Sequence, residues 1–205
     1  MSVSYPVHAW SWGGVLIASL MIFLAGRTAG AEEAKREDPW AITLYTAVIV
    51  EIDMVKVPYR MDRVNWGYRL ASLALSRRVG RIGRPLRLEV EGQVTRHTKG
   101  NDNFELNGLF VSRWVSFPWN EVMGTSFAFG AGLSWASSLP LYEHDHQIHS
   151  NQLLAYLLWE IDLYAPPLPD WQLALRLHHR SGAYGAFRGV YAGSNYVGWG
   201  IKHTF

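Results

Sequence analysis

The chain has 205 residues, no cysteine and a formal net charge of +2 at neutral pH. That length is most simply one domain, enough for a sizeable core or a small barrel, and the missing thiols exclude disulfides, thiol catalysis and thiolate zinc sites. Basic residues are scattered among acidic ones, so nothing points to a nucleic-acid partner, whereas an aromatic content of 14%, with ten Trp and ten Tyr, suits a protein that meets a membrane interface at two levels.

Residues 13 to 25 are an apolar run, followed by Arg27 and the small residues Ala29, Gly30 and Ala31, after which the chain turns charged. This order predicts a secretory signal peptide over residues 1–31, cut after Ala31. A membrane-anchoring helix is the alternative, but the run falls short of the roughly 20 residues that a bilayer span needs. Residues 32–205 then form one domain, opening on a polar tail that ends near Pro39.

Beyond Pro39 the chain reads as strand after strand. Ile42, Leu44, Thr46, Val48, Val50 and Ile52 alternate with Thr43, Tyr45, Ala47, Ile49 and Glu51. Residues 65–77 are aromatic and aliphatic with weaker alternation. Leu86 to Thr95 is the cleanest two-faced segment, residues 104–116 and 127–136 continue the series, and Leu153, Ala155, Leu157, Trp159, Ile161 and Leu163 oppose Tyr156, Glu160 and Asp162. The closing pair spans residues 171–181 and 194–205, with a Gly-rich connection between. Eight such segments, each of roughly ten residues or more, have the length a tilted strand needs to cross a membrane.

A soluble sandwich would hide the apolar faces, whereas a small membrane barrel turns them to lipid and fills its interior with polar and small side chains. The export signal, the aromatic strand ends and Phe205 on the apolar face favour the second. The predicted fold is all-β, an eight-stranded antiparallel up-and-down transmembrane β-barrel over residues 32–205. Glu51, Arg87, Glu89, Glu91, Glu160 and Arg176 are expected to point inward and pair. Connections near residues 79–85, 117–123 and 165–169 are short, as periplasmic turns are. Those near 53–64, 137–150 and 182–193 are longer and are expected outside, together with the short 97–103.

In the penultimate segment Leu173, Leu175, Leu177, His179 and Ser181 share one face, because side chains alternate across a strand. His179 and Ser181 then point away from the lumen, about 7 Å apart along the strand. The last segment places Asn195, Val197, Trp199, Ile201, His203 and Phe205 on the same face, and antiparallel pairing brings Asn195 opposite Ser181 or His179. A serine hydroxyl becomes a nucleophile when an imidazole takes its proton, and a third group that orients the ring improves that base. Ser181, His179 and Asn195 can fill the three roles, although an amide cannot offset the imidazolium charge. His178 and Arg180 belong to the lumen face, His97 to a lumen strand end, and His203 to the outward-facing belt near the periplasmic side. A second cluster, Glu143, His144, Asp145, His146 and His149, has spacing that a transition metal tolerates, but a mobile polar loop seldom supplies rigid geometry, so no metal site is assigned.

An export signal, about eight strands and His179-Arg180-Ser181 at the outer end of the penultimate strand together resemble the bacterial lipid A 3-O-deacylases of the PagL type. The resemblance covers the mature chain in architecture and its specific motif lies in the last thirty or so residues. It implies that Ser181 attacks the ester at position 3 of lipid A with His179 as general base, releasing a 3-hydroxy fatty acid without a metal or other cofactor. It also implies lipid A of lipopolysaccharide as substrate, outer-membrane lipid as surroundings and the outer membrane of a Gram-negative bacterium as location, with a homodimer left open. Two positions depart from the family pattern. The family's third member is usually a glutamate where Asn195 stands, and the asparagine that often follows the serine, thought to help hold the oxyanion, is Gly182 here. The Gly182 amide is expected to stand in partly. Outer-membrane phospholipase A is similar in combining His-x-Ser with an asparagine, but it is a larger, calcium-using barrel of twelve strands. A phospholipase and a non-enzymatic structural or adhesive barrel are therefore the alternatives.

Overall fold

The structure, a computed structural model, describes residues 40–60, 62–98, 103–147, 149–191 and 193–205. The expected signal peptide and polar tail lie outside the described residues. The strands, in chain order, are β1 (Trp40–Val50), β2 (Val64–Ile82), β3 (Leu86–His97), β4 (Phe104–Trp114), β5 (Gly124–Ala136), β6 (Leu153–Tyr164), β7 (Trp171–Ser181) and β8 (Gly193–Thr204). Each pairs antiparallel with the next and β8 pairs with β1, so the sheet is a closed barrel. Closure leaves no strand edge unpaired, the condition for carrying backbone amides through hydrocarbon.

The period of two decides which side chains go where. On β1, Ala41, Thr43, Tyr45, Ala47 and Ile49 are buried in the lumen while Ile42, Leu44 and Thr46 are exposed on the outer wall. Leu73, Leu75, Phe110, Leu133, Leu173, Leu175, Trp199 and Ile201 continue this apolar exterior. Inside, Arg113 meets Glu89, Glu160 and Asp162, while Arg176 meets Glu91 and Glu160 and Lys202 meets Glu160 and Asp162. Such a cluster is tolerable away from water only because each charge faces partners of opposite sign. Closure between β8 and β1 depends on small residues: a Cβ on Gly198 or Gly200 would come within 1.9 or 2.2 Å of the carbonyl oxygens of Thr46 and Leu44.

Two sequence expectations need correction. β2 does not stop at Arg77 but runs to Ile82, past a register shift between Arg78 and Gly80, and the turn is only Gly83 to Pro85. Backbone pairing with β3 continues past Arg77 to Ile82, and the Arg77 guanidinium lies over the Trp40 ring at 5.2 Å, covering an aromatic at the barrel end. Glu51 does not join the lumen cluster. It lies beyond the end of β1, half-buried, and accepts a hydrogen bond from Asn65 Nδ2 at 2.8 Å. Arg87, also expected inside, lines a cavity at the short-turn mouth.

The long connections gather at one end. Within 137–152 a short helix, α1 (Leu141–His146), closes the mouth of the lumen, which sequence periodicity had not indicated. Its Glu143 is fully buried, accepting from Ser150 Oγ at 2.6 Å and Ser194 Oγ at 2.8 Å and facing Arg180. Tyr142 packs on the lumen cluster of Tyr45, Ala47, Ile49, Leu70 and Tyr196.

Candidate active site

β7 ends at the long-connection mouth with His179 and Ser181, and its register with β8 places His179 opposite Asn195 and Ser181 opposite Gly193. On the other side His179 pairs with Leu157 and Ser181 with Ala155 of β6. The neighbours His178 and Arg180 are fully buried in the lumen, where both contact Glu105. His179 and Ser181, one residue out of phase with them, stand on the outer wall. The expected face assignment therefore holds, and the structure resolves the pairing in favour of His179 with Asn195.

The His179–Asn195 contact is short and directional. Asn195 Oδ1 lies 2.6 Å from His179 Nδ1, and Asn195 Nδ2 donates to the backbone carbonyl of Ile52 at 2.7 Å. A carbonyl oxygen can only accept, so the amide nitrogen must face Ile52 and the amide oxygen must face the ring. His179 therefore carries its proton on Nδ1 and keeps the Nε2 lone pair free, the tautomer a general base requires. Ser181 Oγ accepts a hydrogen bond from the Ala183 amide at 3.1 Å. Its own proton remains available for transfer to an acceptor.

The amide that reaches the hydroxyl is that of Ala183; the role expected of the Gly182 amide, at the oxyanion, concerns a different atom. Gly182 is buried under Val190, where a Cβ would approach the Val190 carbonyl oxygen to 2.0 Å. No larger side chain fits there, which accounts for the glycine. Ala183 and Tyr184 have φ values of 48° and 56°, followed by Gly185 at 92°. Two successive non-glycine residues in the left-handed region cost on the order of 1–2 kcal/mol each. Strain of this kind beside a candidate nucleophile is found where surrounding contacts hold a loop in one shape.

The feature with no counterpart in the sequence expectations is the course of the first long connection over residues 51–60. Instead of projecting away, it folds over the outer wall, and a 3₁₀ turn at Met54–Lys56 lays Met54 and Val57 on Leu177. Leu177 faces outward by parity yet is only 6% exposed, against 40% for Leu175 two residues earlier. Ile52, Leu157, Trp159 and Val197 complete this satellite core. Above it lies a cavity of about 900 Å³, lined by Ile52 and Met54, by Phe129, Ala155 and Leu157 of the wall, by Tyr184 and Tyr191, and by His179, Ser181 and Asn195. Its volume is at the upper end of the range for small-molecule sites, about 300–1,000 Å³. The lining is mostly apolar, and Glu51, Asp53 and the tyrosines Tyr142, Tyr184 and Tyr191 add polar groups to the Ser181 hydroxyl, the His179 imidazole and the Asn195 amide, a combination that suits a hydrocarbon chain carrying a polar linkage.

The histidine-rich loop residues are not brought together. Glu143 turns into the lumen mouth, His144 bonds Asp145 at 2.9 Å, and His146 stacks on Tyr142 at 4.5 Å. Among the described residues no three His, Asp or Glu side chains form a group that would hold a metal ion.

No protein-family profile and no curated protein matches the chain. Among solved structures, the crystal structure of the outer membrane enzyme PagL is similar to it with a TM-score of 0.60 at 12% identity, over 80% of this chain and 99% of that one. The crystal structure of Ail, the attachment invasion locus protein of Yersinia pestis, aligns over 81% of this chain and 99% of its own with 17% identity and a TM-score of 0.39. OprG from Pseudomonas aeruginosa aligns over 84% and 98% with 11% identity and a TM-score of 0.38. The likeness to PagL shows a common fold, the eight-stranded barrel of outer-membrane proteins; the looser two add nothing to it.

Proposed function

We propose that the protein is a serine esterase of the bacterial outer membrane that removes the 3-O-linked hydroxyacyl chain from lipid A. One observation carries this reading: Ser181, His179 and Asn195 line a single, mostly apolar cavity at the end of the barrel where the long connections gather. In the usual orientation of such barrels that end faces the outer leaflet, which consists of lipopolysaccharide. An ester of a membrane lipid reaches the site sideways from that leaflet.

The chemistry is proposed from the residue types that share this cavity and from the His179–Asn195 contact. His179 Nε2 takes the proton of Ser181 Oγ as the oxygen attacks the ester carbonyl. The amides of Ala183 and Gly182 are the candidate donors to the developing oxyanion. The alcohol leaves with the proton from His179, and water then releases the fatty acid by the reverse assignment of roles. Resemblance to the PagL-type deacylases supports position 3 of lipid A as the bond cleaved. The His179–Asn195 pair supports a second reading, hydrolysis of a phospholipid acyl ester, since an asparagine fills the third position in outer-membrane phospholipase A.

Mass spectrometry of lipid A from a bacterium expressing the protein separates these. The expected result is lipid A lighter by one hydroxyacyl chain, restored to full mass by Ser181→Ala. Free fatty acid from phospholipid with intact lipid A selects the second reading. Identical lipid profiles for wild type, Ser181→Ala and His179→Ala make the protein a non-enzymatic barrel.

A further inference from the structure

We infer that the first long connection, residues 52–57, is the positioning element of the His179–Asn195 pair, and that because of it an amide, not a carboxylate, is the matched third group. The inference deepens the esterase reading and rests on it for kinetics alone. A carboxylate is expected to serve better in this role because it offsets the imidazolium charge. Here the group at position 195 answers to two partners at once. One side meets His179 Nδ1 at 2.6 Å and the other meets the Ile52 carbonyl at 2.7 Å. A primary amide has an acceptor for the first and a donor for the second. An aspartate would bring an anionic oxygen against a carbonyl oxygen, at a position only 8% exposed, where water cannot relieve the repulsion.

The Ile52 carbonyl does not hold its place alone. Met54 and Val57 seat the loop on Leu177, Asn65 Nδ2 binds Glu51 at 2.8 Å, and Glu51 N donates to the Arg63 carbonyl at 3.0 Å to close the loop base. Lys56 and Asp53 pair across the 3₁₀ turn. Orientation thus passes from an apolar seat to a carbonyl, from the carbonyl to the Asn195 amide, and from the amide to the His179 tautomer. Ile52, Met54 and Val57 are positioning residues that act through Asn195.

The test uses the full chain folded in detergent micelles, with a 4-nitrophenyl ester of a medium-chain fatty acid as probe. Wild type, Asn195→Asp and the double variant Met54→Ala/Val57→Ala are compared for kcat, KM and amide hydrogen exchange over residues 52–57. SDS resistance of the unheated barrel identifies folded protein. For both variants kcat is expected to fall about tenfold or more, with KM within about twofold. Exchange over 52–57 is expected to quicken by about tenfold, the scale of one lost hydrogen bond. Asn195→Asp with kcat maintained or raised and loop exchange unchanged overturns the inference. Where Asn195→Asp gives no folded barrel the double variant decides, and unchanged kcat or exchange there overturns it. Ser181→Ala is the separate control on the esterase reading. If wild type cleaves no faster than Ser181→Ala, that reading fails and loop exchange alone decides the positioning role, unchanged exchange in the variants overturning it.

Discussion

Asn195 and Glu160 show how single side chains in this barrel answer to several partners. Glu160 lies between Arg113, Arg176 and Lys202, all buried. Removing one member of such a cluster leaves cations without compensation in a site that water does not reach, which costs more than the pair itself contributes. Glu160→Leu is expected to destabilise the folded barrel by about 3–5 kcal/mol in urea unfolding. A loss under about 1 kcal/mol would mean that the charges relax or hydrate easily. The inward pointing of Glu160 and Arg176, and the outward pointing of His179 and Ser181, were legible because a strand has a period of two and parity needs no coordinates. The choice between His179 and Ser181 as the partner of Asn195 was not, since register depends on the shape of the 182–192 connection. Nor was the Ala183 amide legible, because a positive φ at alanine and tyrosine has no compositional signature as it has at glycine.

At the scale of the element, the first long connection departs most from its expected behaviour. Its length groups it with the long connections, and it lies at their end of the barrel, but nothing in strand periodicity says that it folds back onto the wall. The available signal was Met54, Val55 and Val57, apolar residues in a connection otherwise expected to be wet. Burial of Met54 and Val57 makes Leu177 different from Leu175 on the same face. Leu177→Ala removes roughly 2 kcal/mol of apolar contact beneath the loop, whereas Leu175→Ala exchanges one lipid-facing side chain for another. Trypsin cleavage at Lys56 is expected to quicken markedly in Leu177→Ala and to stay at the wild-type rate in Leu175→Ala. Equal rates in both would mean that Leu177 does not seat the loop. The end of β2 was missed for a related reason: Arg77 and Arg78 break the apolar pattern, yet at the barrel end long basic side chains cover apolar surface with their stems while their charges reach water.

Taken whole, the molecule divides its chemistry by side. Among the described residues the lumen holds ion pairs and tyrosines, and α1 with Glu143 lies over one mouth. The candidate chemistry lies on the outer surface, within reach of membrane lipid and partly roofed by a loop. Closed topology, strand count and the division of faces were legible in the sequence because they rest on alternation and on the need to pair every backbone amide in hydrocarbon. The cavity was not, because it is built from two connections and a wall whose contacts are long-range. The central claim is that Ser181 is a nucleophile activated by His179 on the lipid-facing surface. A long-chain alkyl phosphonate carrying a good leaving group reads this directly in intact outer membranes, by peptide mass after digestion. The account predicts one adduct, on Ser181, absent from Ser181→Ala and strongly reduced in His179→Ala. No adduct on wild type, or equal labelling when His179 is alanine, would contradict it.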